Sequence, residues 1–373
     1  MSDIHRLTEL RDVCRALAAV PTFLEQLTQT MNSAIRLTGA ERGVLVVYNK
    51  ASNSFDLRAA SGVSADQVGE LTTLAQSVAD SGQSLLLADE TQTQRSSLVV
   101  ALQTRGQKPF GALYVDKPSI SGLFTHADLL FFETFVAQAA VVLDASIVKS
   151  DFVSIVTHEL RLPMTSIKGY TDLMRSGIVG PVNDQQKQFL TTIRAGVDRM
   201  NALVSDLSDI SKIDTGRLKV DVKEVDAAAC AGEAVEALKA QINEKGQTLT
   251  VNLPPLPGVR ADKSRLIQIF TNLLVNAHKY TASSGAIILT AEVGSTHVRF
   301  TVNDNGVGVS LDDQAKVFNQ FFRSEHQVVR EQTGWGLALH LTRRLVEYFG
   351  GQIGFESELG KGSKFWFTVP VSQ

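Results

Sequence analysis

The sequence predicts a multidomain α/β protein in which a helical segment separates two domains of mixed helices and strands. The chain has 373 residues, enough for two or three domains that each bury a core. Strand and helix patterns alternate over residues 1–146 and again over residues 218–373, whereas residues 147–217 show only helical spacing of apolar residues. We therefore expect an N-terminal domain (1–146), a hairpin domain (147–217) and a C-terminal domain (218–373).

Composition and charge argue against several classes of protein. The formal net charge is −3 and no basic block is present, so nucleic acid is a poor partner. The two cysteines, Cys14 and Cys230, fall in different predicted domains, which argues against a disulfide framework or a cysteine-ligated metal. Apolar runs such as VAQAAVVLDA are shorter than the roughly 20 residues that cross a bilayer, and the N-terminus lacks a signal-peptide core. We expect no membrane span and a cytoplasmic location.

The N-terminal domain is predicted to alternate helices and strands. The predicted elements are a helical stretch Leu7–Thr38, strands at 43–49 and 55–61, a helix at 65–81, a strand at 84–89, a strand pair at 96–102 and 110–116, and a long helix at 125–146. This layout, with GALYVD followed by FTHADLLFFETFVAQAA, resembles an α+β GAF sensory domain. The resemblance leaves open whether the domain binds a small-molecule ligand or only dimerises and relays a signal.

The central motif is FVSIVTHELRLPMTSIKGY, residues 152–170. Four apolar residues at helical spacing fall on one face, with His158 nearly opposite: Phe152, Val156, Leu160 and Ile167. Pro163 lies inside the same pattern and should bend the helix beside the histidine. The motif resembles the H-box of sensor histidine kinases. That resemblance implies that His158 accepts a phosphoryl group from ATP, and that Glu159 orients the imidazole and accepts its other proton.

The rest of the hairpin domain follows from helical periodicity. No Gly or Pro interrupts the helix from Asp128 to the His158 motif, so a shift in the N-terminal domain can reach His158 through a rigid rod. SGIVGPVND then breaks the helix, and a second helix is predicted over 185–214. Each helix carries an apolar stripe that one antiparallel hairpin cannot cover. We therefore expect a homodimer, in which two hairpins form a four-helix bundle.

The C-terminal domain contains a helix with a polar stripe, LIQIFTNLLVNAHKYT at 266–281. Asn272, Asn276 and Lys279 share one face, while apolar residues point the other way. The segment resembles the N-box of the histidine kinase and gyrase superfamily. The resemblance implies ATP and Mg²⁺ as cofactors, with Asn276 as the magnesium ligand, Asn272 as a supporting contact, and Lys279 and Tyr280 as nucleotide contacts.

Three further motifs follow in the order that this superfamily uses. In VRFTVNDNGVGV, Asp304 resembles the residue that accepts a hydrogen bond from the adenine amino group, and Gly306 and Gly308 allow close backbone approach. VFNQFFRSE resembles the F-box of this superfamily, which implies that its phenylalanines anchor a lid and that Arg323 can reach the transferring phosphoryl group. Two glycine pairs complete the nucleotide contacts that the resemblance implies: Gly334 and Gly336 at a helix start, and Gly360 and Gly362 before the last strand.

The motif order implies a two-layer α/β sandwich that binds ATP. P-loop and protein-kinase signatures are absent from the sequence. Asn272 stands where ATP hydrolases of the superfamily carry a water-activating glutamate, which favours phosphoryl transfer over hydrolysis. Leu162 replaces the usual Thr or Asn one turn beyond the histidine, so we do not expect that residue to support phosphatase activity.

The resemblance implies a sensor histidine kinase that phosphorylates His158 from MgATP. The phosphoryl group would then pass to an aspartate in the receiver domain of a separate response regulator. Two other classes stay open at this point. A superfamily ATPase or chaperone would hydrolyse ATP without His158, and a scaffold that only dimerises would bind no nucleotide.

Overall fold

The computed structural model describes residues 3–20, 22–49, 52–87 and 94–372. The chain divides into two compact units, residues 1–152 with 214–216, and residues 153–213 with 217–373.

The first unit has helices on both faces of one antiparallel sheet. Its helices are α1 (Asp3–Ala19), α2 (Phe23–Thr38), α3 (Ala65–Ser81) and the first half of α4 (His126–Arg175), with a 3-10 turn at Ser119–Ser121. Its strands are β1 (Arg42–Asn49), β2 (Ser54–Ser61), β3 (Leu85–Leu87), β4 (Arg95–Leu102) and β5 (Gly111–Pro118). The strand order is β2-β1-β5-β4-β3. The predicted α+β architecture of this domain is confirmed.

Two predictions for this unit need adjustment. The predicted helical stretch Leu7–Thr38 is two helices: α1 ends at Ala19, and Thr22 begins α2 as its N-cap by accepting a hydrogen bond from the Glu25 amide at 3.3 Å. The predicted strand at 84–89 is observed only over 85–87, and residues 88 and 89 lie outside the described residues.

The sheet of the first unit is packed on both sides. Helices α1, α2 and α4 bury side chains such as Leu27 and Phe135 against one face, and α3 packs against the other. Asp116 of β5 is fully buried and accepts hydrogen bonds from Arg42 of β1 at 2.7 Å and Arg95 of β4 at 3.0 Å. Because a buried carboxylate needs such partners, this cluster ties the three central strands together.

The second unit begins with the helical hairpin, formed by the second half of α4 and by α5 (Asp184–Asp214). The predicted continuity of α4 into the His158 motif is confirmed. Lys168 contacts Asp198 at 2.8 Å, and Asp172 pairs with Arg194. From the first pair to the second, the residue number rises by four on α4 and falls by four on α5. This is the register of an antiparallel hairpin.

Within one chain, the hairpin seam differs from the predicted apolar stripe. In the hairpin half of α4, the buried residues recur every seven positions: Thr157, Met164 and Thr171. Met164 packs with Val197 and Val204 of α5. The predicted stripe residues Leu160 and Ile167 are instead 41% and 45% exposed. A seven-residue repeat is typical of paired helices.

The C-terminal domain has helices on one face of a mixed sheet. Its helices are α6 (Ala227–Glu244), α7 (Lys263–Tyr280), α8 (Leu311–Gln314), α9 (Gln327–Glu331) and α10 (Ala338–Tyr348). Its strands are β6 (Lys223–Val225), β7 (Thr248–Asn252), β8 (Val259–Ala261), β9 (Ala286–Val293), β10 (His297–Asp304), β11 (Ile353–Glu358) and β12 (Gly362–Pro370). The main sheet has the order β11-β12-β10-β9-β7, and β6 pairs with β8. This is the predicted two-layer sandwich.

The core of the C-terminal domain fixes the orientation of α7. Asp262 caps the helix by accepting hydrogen bonds from the amides of Ser264 and Arg265, so α7 begins one turn earlier than predicted. Phe270 packs edge-on against Phe300 and Phe367 of the sheet, with ring centroids 4.9 and 5.2 Å away. With its apolar face buried there, α7 presents its polar stripe away from the sheet.

Among the described residues, one helix is long and apolar enough to cross a membrane by length and composition, namely α4. This is weak evidence, because the core helix of a domain without a membrane span passes the same test. Several α4 side chains, including Phe132 and Val136, are buried in the core of the first unit. The absence of a membrane span therefore stays a prediction.

Candidate functional site

A cavity of about 720 Å³ lies beside the polar stripe of α7. Its walls come from α7, from the end of β10 and the following loop, from the segment between β10 and α10, and from α5 of the hairpin. Of the predicted site residues, eight line it: Asn276, Lys279, Tyr280, Asp304, Gly308, Arg323, Gly334 and Gly336. The fold thus brings four separate sequence motifs to one cavity.

The α7 wall carries an amide, a cation and a phenol. No hydrogen bond joins the Asn276 carboxamide to another described residue, which leaves its oxygen and nitrogen open to a ligand. The Lys279 ammonium donates to the Thr333 carbonyl at 3.1 Å, and burial, followed by the nearby Arg323 charge, lowers the pKa of Lys279. Burial also disfavours the charged form of Tyr280, which for a phenol means that its pKa is raised. A ligand that enters here meets groups that are already partly removed from water.

The loop after β10 places one carboxylate deep in the cavity. Asp304 ends β10, is 7% exposed and accepts a hydrogen bond from the Gly306 amide at 2.9 Å. Burial raises its pKa, against the hydrogen bonds from the Gly306 and Ser363 amides. The carboxylate therefore has a fixed direction and can accept a further hydrogen bond from a buried amino group.

Two cavity glycines occupy positions that a side chain cannot. Gly308 has φ +70°, and a Cβ there would lie 2.0 Å from the Glu358 carbonyl oxygen. Gly336 also has φ +70°, and its Cβ would lie 2.4 Å from the Phe322 carbonyl oxygen. Gly334, in contrast, has open space around it. Gly336 lies two residues before α10, so the predicted position near a helix start is confirmed.

Arg323 holds together the segment 305–337, which we call the lid. Its guanidinium donates to the carbonyls of Val329, Gln332 and Gly334. Because these bonds occupy the guanidinium, contact with a transferring phosphoryl group requires Arg323 to leave the lid carbonyls. The lid aromatics differ in role, since Phe322 lines the cavity while Phe321 is 58% exposed.

Four predicted site residues lie next to the cavity without lining it. Asn272 faces α10 and donates to the Thr342 hydroxyl at 3.1 Å. Gly306 supplies the amide that binds Asp304. The Gly360 amide donates to the Val307 carbonyl at 2.7 Å, and the Gly362 carbonyl accepts from Ser357 at 2.8 Å. In this structure these residues shape the walls of the cavity.

His158 and Glu159 lie on α4 and do not line the cavity. The His158 side chain is 68% exposed, and its Nδ1 lies 3.2 Å from the Glu159 carboxylate. If Glu159 accepts a hydrogen bond from Nδ1–H, the Nε2 atom of the neutral ring keeps its lone pair. The predicted water-facing imidazole with an adjacent acceptor is therefore present in the structure.

Sequence reasoning missed the α5 wall of the cavity. Residues between Gly196 and Asp206 of the hairpin line it, including Arg199 and Asp206. Burial, with a smaller effect of the neighbouring Asp209 carboxylate, raises the pKa of Asp206 to about 6. Asp209 itself forms an ion pair with Arg265 at the start of α7, which holds this part of α5 against the C-terminal domain. No motif marks this wall, because only tertiary packing brings it to α7.

The shifted Asp206 gives a pH-dependent stability prediction. Its folded-state pKa lies above the ordinary value, so ionising it costs stability as pH rises from about 4 to about 6. We expect Asp206→Asn to raise the free energy of unfolding by about 1 kcal/mol near pH 7.5, after allowance for solvent screening, and by less near pH 4.5. Thermal unfolding at both pH values measures this.

Asp198 on the same helix is the matched comparison. Its hydrogen bond to Lys168 lowers its pKa, so the ionised form stabilises the fold above its ordinary pKa. Asp198→Asn should therefore lower the melting temperature near neutral pH, the opposite sign to Asp206→Asn. If Asp206→Asn raised the melting temperature equally at both pH values, the raised pKa of Asp206 would be contradicted.

Three sequence families match the chain in succession. The GAF domain matches residues 24–145, the His Kinase A (phospho-acceptor) domain matches 148–216, and the histidine kinase-, DNA gyrase B- and HSP90-like ATPase matches 261–373. Together they extend over all three predicted domains, and the cavity residues from Asn276 to Phe365 lie within the ATPase match.

Curated relatives and a solved structure point the same way. The chain is 32% identical over 229 residues to the circadian input-output histidine kinase CikA of Synechococcus elongatus, covering 61% of this chain and 30% of that one. It is 33% identical over 232 residues to the signal transduction histidine-protein kinase BarA of Escherichia coli K12, covering 61% and 25%. The crystal structure of full-length ShkA in complex with AMPPNP is similar with TM-score 0.52 and 29% identity, covering 60% of this chain and 46% of that one.

The chain spans less than a third of the length of these curated relatives. Its own three domain matches nevertheless follow the order sensor, phosphoacceptor and ATPase, and the matched relatives are kinases of this type. The chain therefore contains, in succession, a GAF domain, a His Kinase A phosphoacceptor domain and a histidine kinase-type ATPase domain, and over the last two it is similar to known histidine kinases.

Proposed function

We propose that the protein transfers the γ-phosphoryl group of ATP to His158. The observation that carries this proposal is the exposed imidazole of His158, held by Glu159, in the same chain as a cavity with a free carboxamide, a lysine and a buried carboxylate. A nucleophile with an adjacent proton acceptor and a site for the phosphoryl donor are the two components that the reaction needs. The proposed domains are 1–146 for the sensor, 147–217 for dimerisation and phosphoacceptance, and 218–373 for catalysis.

In the proposed reaction, the Nε2 lone pair of His158 attacks the γ-phosphorus. An N–P bond forms while the bond from the γ-phosphorus to the bridging oxygen breaks, and ADP leaves with the electron pair. Glu159 accepts the hydrogen bond from Nδ1–H and so stabilises the positive charge that develops on the ring. Lys279, and Arg323 once it leaves the lid carbonyls, would offset the charge on the phosphates.

The adenine and phosphate ends of the nucleotide have different partners in this proposal. Asp304 would accept a hydrogen bond from the adenine amino group, while Asn276 and Lys279 would face the phosphates. Asn276 fits a magnesium ligand, because its carboxamide is open, and because Mg²⁺ commonly takes one or two protein ligands with water and phosphate oxygens. When bound, Mg²⁺ would neutralise phosphate charge. No group of three or more His, Cys, Asp or Glu among the described residues could hold a metal by itself.

Phosphoryl transfer requires the C-terminal domain to move relative to the hairpin. In this structure the cavity faces residues 196–206 of α5, and His158 and Glu159 do not line it. Extending the register of the two ion pairs between the hairpin helices places His158 opposite Ser208 of α5. Along the hairpin axis, His158 therefore lies near the part of α5 that lines the cavity. We therefore expect a short movement of the C-terminal domain around the hairpin, rather than a long one along it.

The chemistry of the labelled product tests this function. After incubation with γ-labelled ATP and Mg²⁺, the protein should carry label that is stable in alkali and lost in acid, as a phosphoramidate is. Label that survives acid would indicate a phosphorylated hydroxyl group and would contradict the proposal. Steady release of phosphate with no labelled protein would support the ATPase alternative instead.

We also propose that the protein acts as a homodimer through its hairpin. Large apolar side chains remain exposed along the hairpin of a single chain: Ile155, Leu160, Ile167, Met174, Phe189 and Ile193. Such a continuous apolar surface is uncommon on a monomer, and pairing two hairpins would bury it. The phosphoacceptor family match agrees with this arrangement.

A charge on this surface should dissociate the dimer. We expect Ile167→Glu to raise the dimer dissociation constant by at least about 100-fold, because it places an unpaired carboxylate in the interface. Sedimentation equilibrium measures the change. Thr165→Glu is the control, since Thr165 lies on the His158 side of α4, and it should leave the dimer intact. A monomeric parent protein would contradict the proposal.

The remaining partners are proposed from the family. Phosphohistidine would pass its phosphoryl group to an aspartate of a response regulator receiver domain, and the GAF domain would either bind a small-molecule ligand or only dimerise and relay a signal. We propose a cytoplasmic location, since ATP and receiver domains are found there. Fractionation of cells that express the chain tests the location, and recovery only in the membrane fraction would contradict it.

A further inference from the structure

The last turn of α7 carries Lys279 and Tyr280, and an unusual cap holds it. A helix normally ends with four carbonyls that lack partners within the helix. Here all four are bonded. The Ala277 carbonyl accepts from the Thr281 amide, and the Tyr280 carbonyl accepts from the Val307 amide at 3.1 Å. The other two, His278 and Lys279, are bonded by side chains from the corner between α6 and β7.

Two residues of that corner, Lys245 and Gln247, supply the side-chain donors. The Lys245 ammonium donates to the carbonyls of His278 at 2.8 Å and Lys279 at 3.2 Å. The Gln247 amide nitrogen donates to the carbonyl of His278 at 3.1 Å and to that of Thr281 at 2.8 Å. A cation at the C-terminus also interacts favourably with the helix dipole.

The same contacts fix the orientation of Gln247 and the tautomer of His278. Because the Gln247 nitrogen faces carbonyls, its oxygen must face the other way, and it lies 2.7 Å from Nδ1 of His278. That nitrogen must therefore carry a proton. Gln247 is 5% exposed, so each of these bonds replaces one to water. The cap is thus a satisfied polar network at the base of the nucleotide cavity.

We propose that Lys245 and Gln247 are positioning residues for nucleotide binding, which hold the last turn of α7 so that Lys279 and Tyr280 face the cavity. Neither residue lines the cavity, so they act through the helix end. The proposal rests on the proposed function only in taking ATP as the ligand of the cavity. It predicts that loss of the cap weakens nucleotide binding more than it slows the transfer of bound phosphoryl groups.

The test compares Lys245→Met with Lys239→Met in the full chain. Lys239 lies on α6, pairs with the exposed Glu236 and does not line the cavity, so its loss should leave binding unchanged. We expect Lys245→Met to raise the dissociation constant for MgADP, measured by calorimetry, by about tenfold, because two carbonyls lose a charged donor. The rate of His158 labelling at saturating ATP should stay within about twofold of the parent. Lys245→Arg, which keeps the donors and the charge, should restore most of the affinity.

An unchanged dissociation constant in Lys245→Met would overturn the proposal, even if its melting temperature falls, because that pattern is purely structural. If Lys245→Met does not fold, Gln247→Met gives the same comparison with loss of the amide donor, and unchanged MgADP affinity in that variant would overturn it equally. A parent that binds MgADP but never labels His158 would refute the proposed function and leave this inference standing.

Discussion

Replacing His158 by Gln should abolish phosphorylation of the protein. Gln fits the exposed position on α4 but has no nucleophilic nitrogen, so we expect labelling from γ-labelled ATP to fall by at least about 10³-fold. Binding of MgADP should be unchanged, since His158 does not line the cavity. Labelling kinetics and calorimetry on the same preparation separate the two effects.

His126→Gln is the matched control, because His126 is another exposed histidine on the same helix. The His126→Gln variant should be phosphorylated on His158 at the same rate as the parent protein. Full labelling of His158→Gln would mean that another residue accepts the phosphoryl group. Loss of labelling together with loss of MgADP binding would indicate a misfolded variant, which a comparison of melting temperatures detects.

The second large effect is expected at Gly336. A residue with a Cβ at φ +70° costs about 1–3 kcal/mol, and here the Cβ would also meet lid backbone at 2.4 Å and 2.7 Å. Those atoms belong to Phe321 and Phe322, so relief requires the lid to shift and carries Arg323 with it. We expect Gly336→Ala to raise the dissociation constant for MgADP by at least about tenfold.

Gly334→Ala is the control in the same loop. Gly334 lines the same cavity, but open space surrounds its Cβ position, and its φ is not in the left-handed region. We expect the dissociation constant of Gly334→Ala for MgADP to stay within about threefold of the parent value. Equal losses in the two variants would show that the loop tolerates no side chain at all. That result would contradict the claim that the positive φ and close backbone contacts of Gly336 make this position specifically intolerant of a Cβ.

The polar stripe of α7 shows why much of the site could be predicted from sequence. Helical spacing determines which residues share a face. Because the apolar face packs against the sheet, the opposite, polar face must point away from it. Asn276, Lys279 and Tyr280 accordingly line the cavity. Asn272, one turn earlier, turns to Thr342 of α10 instead. Spacing cannot anticipate that contact, because it depends on how closely α10 packs against α7.

The hairpin shows the limit of periodicity more clearly. A stripe predicts that a face is buried but does not identify its partner. Within one chain, the seam uses Thr157, Met164 and Thr171, and two of these are polar. The apolar stripe with Ile167 stays exposed. The α5 wall with Asp206 was missed for a similar reason, since periodicity does not show that this carboxyl is partly buried or that it lines the same cavity as residues of the C-terminal domain.

The cap on α7 lay beyond sequence reasoning altogether. Lys245 and Gln247 lie in a corner between two elements, more than thirty residues before the carbonyls that they bind. A lysine and a glutamine in a turn are ordinarily solvated. Only the fold brings them to the end of α7, where they become part of the support of the cavity.

Localisation of the phosphoryl group tests the central claim most directly. The full chain is incubated with MgATP, digested under alkaline conditions that preserve phosphoramidates, and its peptides are sequenced by mass spectrometry. We predict a single modified site, His158, on the imidazole ring. A phosphoryl group on any serine, threonine or tyrosine, or on a histidine other than His158, would contradict the account.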